Sequence, residues 1–433
     1  MRFRDDESGQ MLVLTALCMT VLMGFLALAI DVGLLFRAKR NVQIAADAGA
    51  IAGALAEQYG ISPSPACGGG VTPIACAVQN AVAANGVPAS DIVAVNTNPT
   101  DGFHTGPGYV ETILSVPNPT FFFSAFSGSK TSFSVAGRAV AGMAPSTACM
   151  YVLDPSDPNA LTVAGSVTAP KCGIQVNSSS PNASCDDGQT LDVPFLHVVG
   201  GQDSGGGCGR VTSTQVVTGV APSGDPLNNL SGLDPATSCN LLNTLTLGGA
   251  TPTVTGATRI PSTTVTLGAV SVTISCFGDL NVLLSGLTLG RAGGNQVFIF
   301  LNGLQLLGNV RVNGTVEVAG GSLLPGGLGT LSVTAPADPA DLFNGIAIYQ
   351  PPTDTTPCTN PPMATPCLHV RLVGGGVTGI IYAPTARLTI DGTGGVGGIV
   401  AYQVDVDGPL NLTGNYNLAN PTTSPLNKVE LVE

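Results

Sequence analysis

The segment from Ser8 to Glu57 constrains the fold most, because an uncharged apolar run passes without a break into an alanine-rich amphipathic stretch. No charged residue occurs from Met11 to Ile30. About twenty residues of α-helix, with a rise of about 1.5 Å each, cross the roughly 30 Å hydrocarbon core of a bilayer. The segment therefore predicts a membrane-spanning helix that continues as a helical extension.

Two changes in texture divide the rest of the chain. A Gly and Pro cluster at 60–65 ends the helical pattern, and short β-prone runs begin near Ala144. We predict a protein that is mainly β with a long N-terminal transmembrane α-helix. Its regions are a cytoplasmic N-terminus at 1–9, a transmembrane helix at 10–36, a helical extension at 37–59, a small α/β domain at 60–143 and a Gly/Thr/Asn-rich β domain at 144–433.

The N-terminal third resembles a known family, the TadE/TadG-like proteins of the Tad (tight adherence, Flp-type) pilus-assembly system. The resemblance lies in the Gly9 junction, the apolar run, Ala29-Ile30-Asp31-Val32-Gly33, the basic Arg37-Ala38-Lys39-Arg40, Asn41-Val42-Gln43 and Ala45-Ala46-Asp47-Ala48. A weaker resemblance to the same family extends through Tyr109–Thr112, Pro119–Phe122 and Ala139–Ala141. The resemblance implies an N-terminus inside the cell, an exported body, and other Tad pilus-assembly or pilin-like membrane proteins as partners.

A candidate processing site lies between Gly9 and Gln10. Flp-type prepilins are cut after a Gly that is followed five residues later by Glu, whereas Leu14 stands at that distance here. Two outcomes therefore remain open: cleavage after Gly9, or a permanent signal anchor.

Eleven cysteines are present, and all but Cys18 lie outside the span, which suits an oxidising compartment. Closeness in sequence suggests the pairs Cys67 with Cys76, Cys358 with Cys367, Cys149 with Cys172, Cys185 with Cys208, and Cys239 with Cys276. Neither paired C-x-x-C motifs nor clustered His residues occur, so we expect no metal and no cofactor.

Charge excludes one class of partner. Only 10% of the residues are charged and the net charge is −12, so nothing in the chain attracts phosphate backbones and we expect no nucleic-acid role. The abundance of Gly, Thr, Val, Ser and Asn favours exported β-structure.

The small domain is predicted to carry a helix near Ala77–Ala84 and strands near Asp91–Asn96, Tyr109–Val116 and Thr131–Ala141. A long helix followed by a small antiparallel sheet resembles the layout of pilins. Four aromatic residues then need burial, and we expect them to form core beneath the sheet: Phe121, Phe122, Phe123 and Phe126.

The larger domain has β-prone runs of three to seven residues that recur every eight to twelve residues. This spacing fits a parallel β-helix or, as the alternative, a β-sandwich. Few two-residue hairpin signals occur, and the similar units Thr378–Ala383 and Gly397–Tyr402 lie about nineteen residues apart, which is typical of one coil of a solenoid. We therefore expect a parallel β-helix, with a likeness to β-helical surface proteins.

Catalytic candidates are sparse. Asp186-Asp187 and Asp405-x-Asp407 are the carboxylate pairs of the kind that glycan-cleaving β-helices use, but no His or Arg cluster accompanies them in sequence and Asp407 precedes a Gly-Pro turn. No nucleophile or phosphate-loop signature is present. We therefore expect these residues to be structural and the protein not to be an enzyme.

Residues of the long helix suggest packing roles. Asp31, near the end of the span, is expected to cap, to snorkel or to pair with the basic cluster of a neighbouring helix. The small residues Gly49, Ala50, Gly53 and Ala54 are expected to let the helix pack laterally against similar helices.

Together these features predict a membrane-anchored, periplasmic or surface-exposed protein of the bacterial envelope that acts in Tad/Flp pilus assembly or as a minor-pilin-like adhesin. Its expected contacts are inner-membrane lipid and a surface glycan or a host or abiotic surface. The alternatives are a membrane-tethered carbohydrate-active β-helix and a structural envelope scaffold.

Overall fold

The computed structural model forms two compact units, one of residues 1–144 with 429–433 and one of residues 145–428. The structure describes residues 8–59, 67–68, 70–123, 132–145, 147–186, 190–202, 215–240, 244–245, 262–267, 270–278, 280–282, 287–291, 296–301, 304–306, 309–319, 322–324, 330–338, 341–354, 357–359, 362–414 and 426–432.

The first unit begins with one long helix and a short one. Helix α1 runs without a break over Ser8–Tyr59, as its Pro-free and Ala- and Leu-rich sequence favours. Helix α2 covers Pro73–Ala84, and the Thr72 hydroxyl caps it by accepting a hydrogen bond from the Ala75 N–H at 3.2 Å. A 3-10 turn, Ala89–Asp91, leads into the sheet.

A four-stranded sheet packs against the two helices. Its strands stand in the order β1 (Ile92–Asn96), β2 (Tyr109–Pro119), β3 (Ser132–Pro145) and the C-terminal strand β27 (Asn427–Leu431), and β1–β2 and β2–β3 are antiparallel. The buried face of α1 contacts Val78 and Val82 of α2 and Val110 and Leu114 of β2. The structure has a helix and three strands at the positions predicted for this domain. Helix α2 begins at Pro73, four residues before the predicted start at Ala77.

The second unit is built of short strands. They are β4 (Ala148–Val152), β5 (Leu161–Val163), β6 (Ser166–Thr168), β7 (Gly173–Val176), β8 (Ser184–Asp186), β9 (Leu191–Asp192), β10 (Leu196–Val198), β11 (Val216–Thr218), β12 (Thr244–Leu245), β13 (Thr263–Leu267), β14 (Val270–Phe277), β15 (Leu280–Val282), β16 (Leu287–Leu289), β17 (Gln296–Phe300), β18 (Leu304–Leu306), β19 (Val310–Asn313), β20 (Thr315–Val318), β21 (Ser322–Leu324), β22 (Leu331–Thr334), β23 (Ile346–Tyr349), β24 (Pro357–Thr359), β25 (Pro362–Val406) and β26 (Pro409–Leu412). Two 3-10 turns, Asn228–Leu230 and Pro235–Ser238, lie between β11 and β12.

Most of these strands stack in three parallel ladders, because each pairs with the strand three places further along the chain. We call them ladder A (β14, β17, β20, β23, β25, β4, β7, β10 and β11), ladder B (β15, β18, β21, β25, β5 and β8) and ladder C (β16, β19, β22, β25, β26, β6 and β9). The long strand β25 contributes to all three. This arrangement is compatible with the expected parallel β-helix and departs from the antiparallel pairing of a β-sandwich.

The chain enters this stack in its middle. Met150 of β4 pairs with Ile399 near the end of the domain, and on its other side β4 pairs with β7. We call three consecutive strands, one from each ladder, a coil. The first coil is β4–β6, and the strands up to β11 stack on one side of it. The chain then passes to the far end of the stack and returns coil by coil until β25 and β26 meet β4–β6. The first and last coils are thus neighbours.

The C-terminal boundary differs from the prediction. The sequence analysis assigned 144–433 to the β domain, whereas 429–433 belong to the first unit, where the Val432 N–H donates to the Val140 carbonyl oxygen at 2.9 Å. A solenoid that ended at its far end would carry the C-terminus away from the first coil. Here the last coil lies beside the first, so the chain leaves the domain near where it entered.

Alternate residues of the ladders point into an apolar core. Aromatic rings stack between successive coils, as between Phe277 and Phe300 with centroids 5.0 Å apart, and between Tyr349 and Tyr382 at 5.7 Å. The coils approach closely at glycines: a Cβ atom on Gly165 would collide with the backbone of Gly408, and one on Gly408 with that of Gly392.

A segment that we call the strap, residues 223–239, is bound by successive strands of ladder A. The Tyr382 hydroxyl donates to Asp225 at 2.8 Å, and the Tyr349 hydroxyl lies 2.9 Å from the Leu230 carbonyl oxygen and 2.6 Å from that of Leu233. Further along, Glu317 accepts from the Ala236 N–H at 3.1 Å. The strap thereby crosses three neighbouring strands of ladder A: β25, β23 and β20.

Three disulfides agree with the suggested pairs: Cys67–Cys76, Cys149–Cys172 and Cys239–Cys276. Cys185 and Cys367 are also disulfide-bonded, and the side chains of Cys208 and Cys358 lie outside the described residues. Cys18 is a free, exposed thiol. The Cys239–Cys276 bond joins the end of the strap to β14.

The strap makes stability depend on pH through Glu317. This carboxyl group is fully buried, and burial, followed by the charge of Asp234, raises its pKa well above the usual 4.5. The raised pKa favours folding while the group is protonated, so the contribution of Glu317 to stability is fully present below pH 4.5 and is lost as the pH rises through its folded-state pKa.

We predict that Glu317→Gln flattens this slope and raises the urea midpoint of strand loss at pH 8, because a neutral amide keeps the acceptor oxygen for Ala236. The measurement is circular dichroism of the detergent-solubilised full chain at pH 5 and pH 8. Asp192→Asn, at an exposed carboxyl of β9, is the matched control. Equal slopes in Glu317→Gln and wild type would contradict this account.

Candidate functional sites

The outer surface of α1 defines the first candidate site. Among the described residues, α1 is the one helix long and apolar enough to cross a membrane, and side chains from Met11 to Ile30 are mostly exposed. Gly24 and Ala27 are partly covered and Asp31 is buried, so a contact stripe begins inside the apolar run. It continues along the helix to Val42, Ala46 and the residues that face α2.

Asp31 is held by backbone groups of the same chain. Its carboxylate accepts hydrogen bonds from the N–H groups of Phe121, Phe122 and Phe123 at 3.0, 2.9 and 2.6 Å, and its side chain is only 2% exposed. The sequence did not predict this contact within the chain, and pairing of Asp31 with the basic cluster of a neighbouring helix stays a prediction. Sequence reasoning missed the contact because ninety residues separate the carboxylate from the amides.

The Phe turn, residues Phe121–Phe123, is exposed rather than buried beneath the sheet, which corrects the expected core role of these rings. Their exposed fractions are 65%, 43% and 37%. The turn follows the end of β2, where the sheet offers it only a partial contact: the rings of Phe123 and Phe133 of β3 have centroids 5.3 Å apart. Phe126 lies outside the described residues.

Gly49 and Gly53 pack within the chain. A Cβ atom on Gly53 would lie 2.7 Å from Cγ1 of Val110 and 2.8 Å from Cγ2 of Val78, and one on Gly49 would lie 2.9 Å from Cγ2 of Val82. The helix face expected to meet other chains, which includes the buried Ala50 and Ala54, is thus covered by α2 and β2.

The second candidate site, which we call the polar cluster, is formed by side chains of strand β25 and of the residue that follows its end. Its members are His369, Arg371, Arg387, Asp391, Asp405 and Asp407. The His369 Nε2 lies 3.3 Å and the Arg371 Nε 3.7 Å from the two oxygens of Asp391, and the Arg387 Nε–H donates to Asp405 Oδ2. The sequence analysis expected no His or Arg near Asp405 and Asp407; the stacking of coils brings them there.

Burial affects two carboxyl groups of the polar cluster, those of Asp405 and Asp407. Asp405 is 9% exposed, and its Oδ1 makes no hydrogen bond. Burial, followed by the charges of Asp405 and Asp391, raises the pKa of Asp407.

Other candidates from the sequence do not add to these sites. The side chain of Asp186 and all of Asp187 lie outside the described residues. Within the described part of the chain, no group of three or more His, Cys, Asp or Glu side chains is arranged to hold a metal ion.

Comparison with protein families identifies part of the chain. Residues 9–56 match the Tad family model, described as "Putative Flp pilus-assembly TadE/G-like". The N-terminal segment is TadE/G-like. No curated protein and no solved structure matches the chain.

The Tad match coincides with helix α1 and ends three residues before it does. It supports a Tad/Flp pilus-associated role, and together with the long apolar helix it fits a membrane-anchored envelope protein. Gly9 and Gln10 lie at the beginning of both the match and α1. The choice between cleavage after Gly9 and a permanent anchor, which the sequence left open, is not decided by this match.

Within the Tad segment, the close packing at Gly53 yields a test. We predict that Gly53→Leu loosens the first unit by about 2 kcal/mol or more, because overpacking a tight contact costs about 1–3 kcal/mol and the added side chain has to displace Val78 and Val110. Gly33→Leu is the matched control, since no atom lies within 4 Å of its added Cβ and both changes gain the same helix propensity.

The measurement is amide hydrogen exchange of α2 and β2 in detergent. Protection should fall in Gly53→Leu and stay at the wild-type level in Gly33→Leu. Equal protection in the two variants would argue against the packing described here.

Proposed function

We propose that this protein is a non-enzymatic, membrane-anchored component of a Tad/Flp pilus system, which holds its β domain outside the inner membrane and acts on the pilus from the membrane. The observation that carries the proposal is the coincidence of the Tad match with a single continuous helix. The apolar half of that helix suits a bilayer, and its other half forms part of the small domain's core.

The continuity of α1 supports a mechanical role. The helix has 52 residues, and at about 1.5 Å per residue it is about 78 Å long. Contacts along its second half involve buried residues from Val42 to Ala54, so the small domain is fixed to the anchor and not tethered by a flexible linker. A displacement of the apolar half of α1 therefore also moves the small domain.

The disulfides support export. Three bonds are described and two further cysteines are bonded, in both compact units, and such bonds persist in the periplasm and at the cell surface. The β domain, with polar Asn, Thr and Ser on its coils, suits contact with a glycan or another surface as an accessory role in attachment.

Processing separates an assembly protein from a filament subunit. We predict that the native protein begins at Met1 and stays in the envelope fraction, because Leu14 stands where Flp-type prepilins carry Glu. The measurement is N-terminal sequencing and intact mass of protein from envelope and sheared surface fractions.

Leu14→Glu provides the matched variant and should increase cleavage after Gly9 if the processing peptidase reaches this site. A wild-type start at Gln10 in sheared filaments would overturn the assembly role and favour a minor pilin. Loss of the chain without any change in piliation would favour the envelope scaffold.

A second candidate function is glycan cleavage, which the polar cluster favours. Asp407, whose pKa is raised by burial and by neighbouring carboxylates, has the property of a general acid. Asp405, paired with Arg387, supplies a second carboxyl group in the same cluster, as glycan-cleaving enzymes require. The arrangement supplies the His and Arg neighbours that the sequence alone did not place near these residues.

Under the first proposal, the purified protein releases no new reducing ends from a broad polysaccharide panel. The assay compares wild type with Asp405→Asn and Asp407→Asn, and with Asp192→Asn as an exposed control. Cleavage that is lost in the first two variants by 100-fold or about that much, and kept in the control, would replace the first proposal by the second.

A further inference from the structure

We propose that the Phe turn is embedded in the outer leaflet of the bilayer beside α1, and that Asp31 makes this possible by binding the backbone of the turn. The lipid surface is thus the partner of Phe121, Phe122 and Phe123. The inference rests on the proposed membrane anchoring of α1 and adds a second membrane contact that fixes the depth and orientation of the first unit.

The height of the turn along α1 carries the argument. Asp31 directly follows the uncharged run that ends at Ile30. The rings of Phe122 and Phe123 line a hollow of about 240 Å³ together with Gly24 and Leu28. Gly24 lies seven residues before Asp31, about 10 Å along the helix axis, so the rings lie beside the part of α1 that is suited to hydrocarbon.

The exposure of the rings points the same way. Three consecutive Phe side chains are 65%, 43% and 37% exposed, and the neighbouring helix residues Leu26, Leu28 and Ile30 are also exposed. A contiguous apolar surface of this kind is unfavourable in water and marks an interaction site. Because it is continuous with the surface of a membrane-spanning helix, lipid chains cover both.

Asp31 resolves the difficulty of placing a turn at this depth. Irregular backbone is excluded from hydrocarbon when its N–H groups lack acceptors, and charged side chains are rare there unless they are paired. The Asp31 carboxylate accepts hydrogen bonds from all three N–H groups of the turn. The carboxylate and the three N–H groups thus satisfy one another, while the three apolar rings remain exposed.

Residues on the far side of Asp31 mark the position of the headgroups. The basic residues Arg37, Lys39 and Arg40 begin six residues after Asp31, about 9 Å further along the axis. The Lys39 ammonium group also donates to the Ala136 carbonyl oxygen of β3 at 2.5 Å, which ties this strand to the same level. Cations at this height suit anionic lipid phosphates.

The chain contains no Trp, so a single substitution provides a specific fluorescent probe. The experiment places Phe122→Trp, Phe25→Trp and Phe103→Trp, one at a time, in the full chain reconstituted in phosphatidylcholine and phosphatidylglycerol vesicles, with lipids brominated at shallow or deep chain positions. Phe25 is an exposed residue of the span. Phe103, 95% exposed, precedes the start of β2, roughly 30 Å of strand away from the turn.

We expect Phe122→Trp to show blue-shifted emission and quenching strongest with shallow bromines. Phe25→Trp should be quenched more by the deeper bromines, and Phe103→Trp should not be quenched. If Phe25→Trp is quenched and Phe122→Trp behaves like Phe103→Trp, the embedded turn is wrong while the membrane anchor stands. If Phe25→Trp itself is not quenched, the anchoring in the proposed function fails, and the inference fails with it.

Two further measurements test the mechanism. Asp31→Asn in the Phe122→Trp background should reduce the shallow quenching at least about twofold, because the amide retains one acceptor oxygen in place of two. The Phe25→Trp signal should not change. A concentration-dependent blue shift of Phe122→Trp in detergent without lipid would show that a second copy covers the turn, and would overturn lipid as its partner.

Discussion

A polypeptide that crosses hydrocarbon has to satisfy its own backbone hydrogen bonds, and this constraint governs the N-terminal half of the first unit. It requires an unbroken helix through the apolar run, and α1 continues unbroken to Tyr59. The same helix then supplies one wall of the small domain's core through Val42, Ala46 and Ala50. The apolar run and the core of the small domain thus share one continuous helix, with no linker between them.

The contact between Asp31 and the Phe turn follows from the same constraint. A carboxylate near hydrocarbon needs donors, and a turn near hydrocarbon needs acceptors. The structure brings the two together across the gap between α1 and the end of β2. An acidic residue that is costly in isolation thereby becomes the group that positions three aromatic side chains.

The β domain depends on non-local pairing. The first coil, β4–β6, has β7–β9 on one side, but on the other side it meets β25 and β26, which the chain reaches almost 250 residues later. Met150 and Ile399 are an example of such a pair. The strap adds further contacts between distant parts of the chain, such as that of Asp225 with Tyr382, 157 residues apart. The stacking of coils also accounts for the polar cluster. The long strand β25 follows more than one coil, so that Arg387 and Asp405, 18 residues apart, become neighbours.

The sequence by itself determined the anchor, the helix that continues from it and the positions of α2 and β1–β3, because each depends on local signals: hydropathy, capping and alternation. It also favoured parallel stacking and three disulfide pairs through spacing. Only the tertiary structure decided which faces were occupied. Gly49 and Gly53 meet α2 and β2, the Phe turn stays exposed, and Asp31 binds amides ninety residues away. The physical reason is that local patterns specify periodicity and polarity, whereas contact partners depend on how distant segments pack, which no short window of residues records.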